Sequence, residues 1–176
     1  MNSNDDMNKI LLRRIRLMIL FYMAVLLASG ITALPLTWEL SILVRCFGEG
    51  TVVGNLVPGL ADWLVLVKEG LDSNAEHYPF IAYGTDWLAF AHIMIALAFL
   101  GPLRDPVKNI WIIRWAMLCC IGILPLALIC GTIRGIPWGW QCIDCSFGVF
   151  GIVPLILIDR WVKRLKNHEA QIQENS

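Results

Sequence analysis

The sequence predicts an all-α membrane protein, in which four transmembrane helices form a bundle and two amphipathic helices lie on its extracytoplasmic surface. The 176 residues are 57% hydrophobic and only 16% charged, with a mean hydropathy of +0.65. Soluble domains rarely have such a composition. Four apolar stretches approach the roughly 20 residues needed to cross a hydrocarbon core, and the basic residues concentrate on one side of them. We expect a single integral membrane domain over residues 1–176.

The four predicted spans cover residues 17–36, 87–103, 111–130 and 140–158. The second is the shortest, so we expect it to stand nearly upright or to draw Tyr83 and Gly84 into the membrane interface. Tryptophans at span ends are typical of the aromatic belt at membrane surfaces, and we assign them no function. Pro125 and Pro154 are expected to kink the third and fourth helices.

A cleaved signal peptide is the alternative interpretation of the first span. A basic flank precedes the apolar residues 17–27, and the small residues 28–30 follow them, as in a leader sequence. Apolar residues continue from Ile31 to Leu36, which favours a membrane span.

The distribution of Lys and Arg predicts the orientation. Eleven of the fourteen lie in the N-terminal flank, around the loop that joins the second and third spans, or in the C-terminal tail. The three on the opposite side are Arg45, Lys68 and Arg134. Because cytoplasmic segments carry the excess of basic residues, both termini are expected in the cytoplasm.

The outer segment, residues 37–84, is too long for a structureless loop. Apolar residues recur with helical spacing from Leu36 to Phe47, and Gly48 and Gly50 are expected to end that helix. A second amphipathic pattern begins at Pro58 and is expected to stop at Gly70. Residues 72–83 are polar and predict a turn into the second span.

Composition and motifs exclude several functional classes. Fourteen basic residues balance fourteen acidic ones, so nucleic acid is not expected as a partner. The chain has no phosphate-binding glycine loop, no His-Glu-x-x-His and no nucleophile elbow. The expected partners are the lipid bilayer and either a small polar or lipid ligand or another membrane protein.

Ionisable residues at membrane depth are the first candidates for function, because charge is costly there. Asp86 precedes the second span. It is either a solvated carboxylate at a helix N-terminus or part of a functional site. His92 lies within the second span, and it is either a hydrogen-bonded packing residue or a functional one. Arg114 and Asp159 lie near the cytoplasmic ends and are each expected to snorkel.

Asp144 lies four residues into the fourth span, so an ionised carboxylate there needs a partner. Arg134, in the short outer loop, is the nearest basic residue in sequence, and we predict a direct contact between the two. Alternatively, the fourth helix starts near Gln141 and Asp144 is a first-turn acid. The first interpretation predicts an outer polar pocket, bounded by Glu39, Asp86, His92, Arg134 and Asp144.

No metal or cofactor is expected. His77 lies in the outer segment and His168 in the tail, which leaves His92 alone within the membrane. Haem bound by two axial imidazoles would need a second histidine on a facing helix.

Cys142 and Cys145 form a Cys-x-x-Cys at the outer end of the last span, and Cys46 is also predicted outside. This layout resembles the vitamin K epoxide reductase family, which has four spans, a surface helix after the first, and a Cys-x-x-Cys opening the last. The resemblance implies that Cys142 and Cys145 face a quinone and that Cys46 shuttles electrons. That family uses a pair of loop cysteines, whereas Cys46 has no outer companion.

Three further strings, residues 27–36, 84–92 and 134–138, resemble those of small bacterial four-span inner-membrane proteins. The resemblance implies an inner-membrane location and four spans, and it implies no activity. From the polar residues of the outer pocket, we expect a non-enzymatic role, either binding a small polar or lipid ligand or acting as an accessory to a membrane complex. The alternative is a thiol-disulfide oxidoreductase that uses Cys142 and Cys145.

Overall fold

A computed structural model describes residues 3–48 and 50–174, and within those ranges it contains helices and turns but no strand. Four helical segments are long and apolar enough to cross a membrane: Asp6–Ala33, Pro79–Arg104, Ile110–Ile133 and Trp138–His168. The predicted all-α, multi-pass membrane class is confirmed. The arrangement of the four spans as one bundle stays a prediction.

The helices, in chain order, are α1 (Ser3–Ala33), α2 (Leu36–Phe47), α3 (Val52–Leu56), α4 (Pro58–His77), α5 (Tyr83–Ala98), α6 (Leu100–Arg104), α7 (Ile110–Pro125), α8 (Gly131–Ile133) and α9 (Trp138–Glu174). A 3₁₀ turn, Pro79–Ala82, precedes α5, and a π-helical segment, Leu126–Cys130, joins α7 to α8. The chain divides into two compact units, one formed by Leu26–Met94 and the other by Met1–Val25 with Ile95–Ser176.

α1 ends three residues before the predicted limit of the first span, because Pro35 breaks the helix. Proline lacks a backbone N–H, and it disfavours helical geometry in the residue before it, here Leu34. The Pro35 carbonyl accepts hydrogen bonds from the backbone N–H groups of Trp38 and Glu39, both at 2.9 Å. The break therefore also starts α2.

α4 continues through Gly70 to His77, so the predicted stop at Gly70 and the turn beginning at residue 72 were wrong. A glycine inside a helix costs only ~1 kcal/mol, and local contacts support the added turns. Lys68 pairs with Asp72 one turn later. His77 Nδ1 donates to the carbonyl of Ser73 at 3.1 Å.

The third span extends beyond the predicted residue 130 to Ile133. α7 ends at Pro125, and the π-helical segment follows directly. Because Pro125 has no N–H to give to the preceding turn, the regular pattern of hydrogen bonds is interrupted there. Pro154 lies inside the continuous helix α9.

In the unit Leu26–Met94, α2 packs against α4 and buries Leu40, Ala61 and Leu64. Gly30 of α1 lies against α5, where an added Cβ would come within 3.0 Å of both the Ala89 carbonyl oxygen and the His92 Cβ. Absence of a side chain at Gly30 therefore permits the close approach of the two helices.

The turn between α2 and α3 requires glycine at two positions. Gly48 caps α2, as predicted, and a Cβ on Gly54 would lie 2.1 Å from the Gly48 carbonyl oxygen. Thr51 caps α3, because its hydroxyl oxygen accepts the Gly54 N–H at 2.9 Å.

In the other unit, α7 and α9 form the main helix pair. Its buried residues include Ile113, Ala116 and Cys120 from α7 and Leu155 and Ile158 from α9. The helices approach closely at Gly148, where an added Cβ would lie 2.5 Å from the Cys120 carbonyl oxygen. Tyr22 of α1 reaches the same region, with its hydroxyl 3.8 Å from the Cys120 sulfur.

We predict that Gly148→Ala lowers the free energy of unfolding by about 1–3 kcal/mol, the usual cost of overpacking, because the new methyl group meets backbone that cannot move aside alone. Thermal unfolding of the detergent-solubilised protein measures the effect.

Gly122→Ala in α7 is the matched control, since an added Cβ there meets nothing within 4 Å. This variant should unfold at the wild-type temperature or slightly above it. Equal losses in the two variants would contradict the close approach at Gly148.

Candidate functional site

Among the described residues, Asp159 of α9 is a buried carboxylate that pairs with two cations. Arg114 Nε donates to its Oδ1 at 3.1 Å, and Lys163 Nζ lies 2.6 Å from its Oδ2. Arg114 and Asp159 therefore pair with each other, a contact that the sequence did not predict, and the expectation that they snorkel stays a prediction. Because two cations pair with one carboxylate, we interpret this cluster as a structural contact that holds α7 and α9 together.

Asp86 lies in the first turn of α5, and its carboxylate is exposed. Together with Tyr83, Trp87 and Phe90, it lines an open groove of about 260 Å³. The three aromatic residues form two edge-to-face pairs, each with ring centroids 5.9 Å apart. Asp86 is thus a predicted site residue that lines an open surface groove.

His92 lies in the middle of α5 and is half-buried. Its Nδ1 is 2.8 Å from the Leu88 carbonyl oxygen one turn earlier. Because a carbonyl only accepts, Nδ1 is the donor in this hydrogen bond. Contact of its Cβ region with Gly30 also gives this histidine a packing role.

Glu39 lies half-buried in the first turn of α2, where the positive end of the helix dipole stabilises a carboxylate. It shares the unit Leu26–Met94 with Asp86 and His92, whereas Arg134 and Asp144 belong to the other unit. The pocket bounded by all five residues stays a prediction.

Arg134 and Asp144 form no ion pair within 4.0 Å among the described residues, so the predicted direct contact is not made. Arg134 is exposed at the end of α8, and Gly135 beside it has a φ of +68°. Asp144 is half-buried, and α9 already begins at Trp138. The alternative that Asp144 lies in the first turn of the helix was therefore wrong as well.

Gln141, which the sequence analysis used only to mark a possible helix start, contacts the loop between α8 and α9. Gln141 is buried, and its Nε2 donates to the Ile136 carbonyl at 2.8 Å. Thr132 Oγ1 lies 3.5 Å from the Gln141 side-chain oxygen. The neutral amide thus ties the loop to α9, the role that we had predicted for an ion pair.

The three cysteines of the alternative redox site form no disulfide in the structure. Cys142 and Cys145 are one turn apart on α9, the first exposed and the second half-buried. Cys46 is exposed near the end of α2. Among the described residues, no three His, Cys, Asp or Glu side chains converge to hold a metal ion.

The sequence analysis did not predict the aromatic residues beside Asp86. It assigned Trp87 to the aromatic belt at the membrane surface, and it placed Tyr83 at the end of a polar turn. The available signal was the spacing of residues 83, 86, 87 and 90, which share one helical face. That spacing is informative only if the helix already begins at Tyr83.

Fold and site together define an all-helical, multi-pass membrane protein with an aromatic groove around a carboxylate. Compared with known proteins, the chain matches no family model, no curated protein and no solved structure.

We predict that Arg114 and Asp159 are coupled in stability, whereas Arg134 and Asp144 are not. Double-mutant cycles with leucine substitutions should give a coupling of about 1 kcal/mol for the first pair, a modest value because the Arg114 side chain is 57% exposed. For Arg134 and Asp144, the losses of unfolding free energy in the two single variants should sum to the loss in the double variant, to within ~0.5 kcal/mol.

Thermal unfolding in detergent measures both cycles, and each pair is the control for the other. Strong coupling between Arg134 and Asp144 would show that the two residues interact in solution despite their separation in this structure.

Proposed function

We propose that this chain is a bacterial inner-membrane protein that binds a small polar or lipid ligand on its outer side without chemical conversion. The observation that carries this proposal is the groove at the start of α5, where Asp86 is flanked by Tyr83, Trp87 and Phe90. A concave, mostly apolar surface with one fixed charge is the usual form of a ligand site. Glu39 and His92 are further candidate contacts in the same unit, and Arg134 and Asp144 remain candidates near the outer loop.

The proposed orientation places both termini in the cytoplasm. It is supported by the eleven basic residues on that side against three on the other. The outer face then carries α2, α3 and α4, and we place α2 and α4 on the membrane surface. Large apolar side chains of this segment, such as Trp38 and Leu56, are exposed, as expected for helices that contact lipid headgroups and chain ends.

We predict that organic extraction of the purified full-length protein, followed by mass spectrometry, yields a molecule enriched over bulk membrane lipid. Asp86→Asn should lose that enrichment, because the substitution removes the charge and retains the shape of the side chain.

Glu69→Gln, which neutralises an exposed carboxylate on α4, is the matched control and should behave like the wild type. Identical extracts from wild type and Asp86→Asn would contradict a binding function for this groove.

The second candidate function is thiol-disulfide exchange. The observation that favours it is the placement of Cys142 and Cys145 on successive turns of α9, one exposed and one half-buried. An exposed attacking thiol with a less exposed partner is a common arrangement in redox pairs.

Under the binding proposal, Cys142 is a free thiol, and we predict that a membrane-impermeant maleimide labels it equally before and after reduction. Under the redox alternative, labelling would be low until a reductant opens a Cys142–Cys145 disulfide. Double replacement of these cysteines by Ser should likewise leave ligand enrichment unchanged.

The same reagent tests the orientation in intact spheroplasts. Exposed Cys46 should be labelled from outside, whereas Asn167→Cys, placed in a chain lacking the native cysteines, should be labelled only after the membrane is opened. Labelling of residue 167 from outside would contradict the proposed orientation.

A further inference from the structure

The groove at the start of α5 presents open ring faces around a carboxylate. Its four residues are spaced at i, i+3, i+4 and i+7, which places them on one helical face. Tyr83 and Trp87 meet at 81°, and Trp87 and Phe90 at 88°. Each ring remains more than half accessible, with exposures of 61%, 57% and 52% for Tyr83, Trp87 and Phe90. Ring surface is therefore free to receive a ligand.

The charge and the rings together select a cation. Among the four lining residues, Asp86 carries the charge, and no described residue forms an ion pair with it within 4.0 Å. Aromatic faces attract ammonium groups. A carboxylate accepts charge-assisted hydrogen bonds from a primary ammonium, which a quaternary ammonium cannot donate. A headgroup with a net negative charge would be repelled by Asp86, whereas a zwitterion that presents its ammonium to the carboxylate would not.

The size of the groove fits a headgroup and not a whole drug-sized molecule. Its volume of about 260 Å³ is below the ~300–1,000 Å³ of typical ligand pockets. It is also open on one side, so the rest of a larger ligand can extend away from the helix.

The depth of the groove favours a lipid over a soluble amine. Asp86 lies seven residues into the span Pro79–Arg104, about 12 Å along the axis, since the 3₁₀ turn Pro79–Ala82 rises ~2.0 Å per residue and the α-helix ~1.5 Å. Tyr and Trp at this level are typical of the headgroup region. One turn below Phe90, the side chain of Met94 is 47% exposed and extends the same face with apolar surface.

We propose that this groove binds the headgroup of an aminophospholipid of the phosphatidylethanolamine type. The ammonium donates to the Asp86 carboxylate beside the rings of Tyr83 and Trp87, and an acyl chain lies along Phe90 and Met94. This inference rests on the proposed outer-side binding function and names the ligand class.

The test is native mass spectrometry of the full-length protein in mild detergent, supplied with equal amounts of dioleoyl phosphatidylethanolamine, phosphatidylcholine and phosphatidylglycerol. The wild type should retain phosphatidylethanolamine about tenfold over phosphatidylglycerol, with phosphatidylcholine between them. Asp86→Asn and Trp87→Leu should each remove this preference.

Two matched variants control for general effects of charge and of interfacial tryptophan. Glu69→Gln changes an exposed carboxylate away from the groove, and Trp111→Leu removes a tryptophan that is 62% exposed. Both should keep the wild-type preference. Loss of the preference in Trp111→Leu would overturn the assignment to the groove, as would its persistence in Asp86→Asn.

Free ethanolamine separates a lipid from a soluble amine as the source of the ammonium. At a concentration matching that of the lipid, it should not displace phosphatidylethanolamine, and displacement would overturn the lipid assignment. If extraction instead shows another molecule that depends on Asp86, the binding function stands and this inference fails. If nothing depends on Asp86, both fail.

Discussion

Hydrocarbon offers a backbone amide no hydrogen-bond partner, so each span must satisfy its N–H and C=O groups within the protein. The breaks in this chain's helices follow from that requirement. The turn at Pro35 comes at the end of a span, and interruption of α7 at Pro125 is followed by π-helical hydrogen bonds instead of an open loop. At Ile136, in the loop between α8 and α9, the buried side-chain amide of Gln141 donates a hydrogen bond to the backbone carbonyl.

The free-energy cost of leaving a buried polar group without a partner also explains where the charged side chains of this protein lie. Asp159 is buried, and it receives Arg114 from another helix and Lys163 from its own. Asp86 is exposed in an aromatic setting and has no such partner among the described residues. A satisfied carboxylate holds two helices together, whereas an open one is available to a ligand. This difference separates the structural cluster from the candidate site.

Hydropathy and charge identified the four spans, because length and composition alone determine whether a helix can cross a membrane. The limits of α1 and α4 were less predictable, since they depend on how a single proline or glycine competes with neighbouring contacts. Nearness in sequence suggested Arg134 as the partner of Asp144, but a tight loop turns on Gly135 and can direct a side chain elsewhere. Predicting the groove from the sequence would have required knowing that the helix runs without a break from Tyr83. An aromatic residue at the end of a span does not indicate where the helix begins.

The π-helical segment Leu126–Cys130 has a consequence for the phase of the helix that follows it. A π turn contains more residues than an α turn, so residues after the segment point in directions that an uninterrupted α-helix would not give them. Gly131 and Thr132 consequently face Gln141, the side chain that bonds to the loop between α8 and α9. Deleting one residue within the segment would rotate this face by about 100°. The number of residues in the segment, more than their identity, therefore sets which side chains meet at this end of the span.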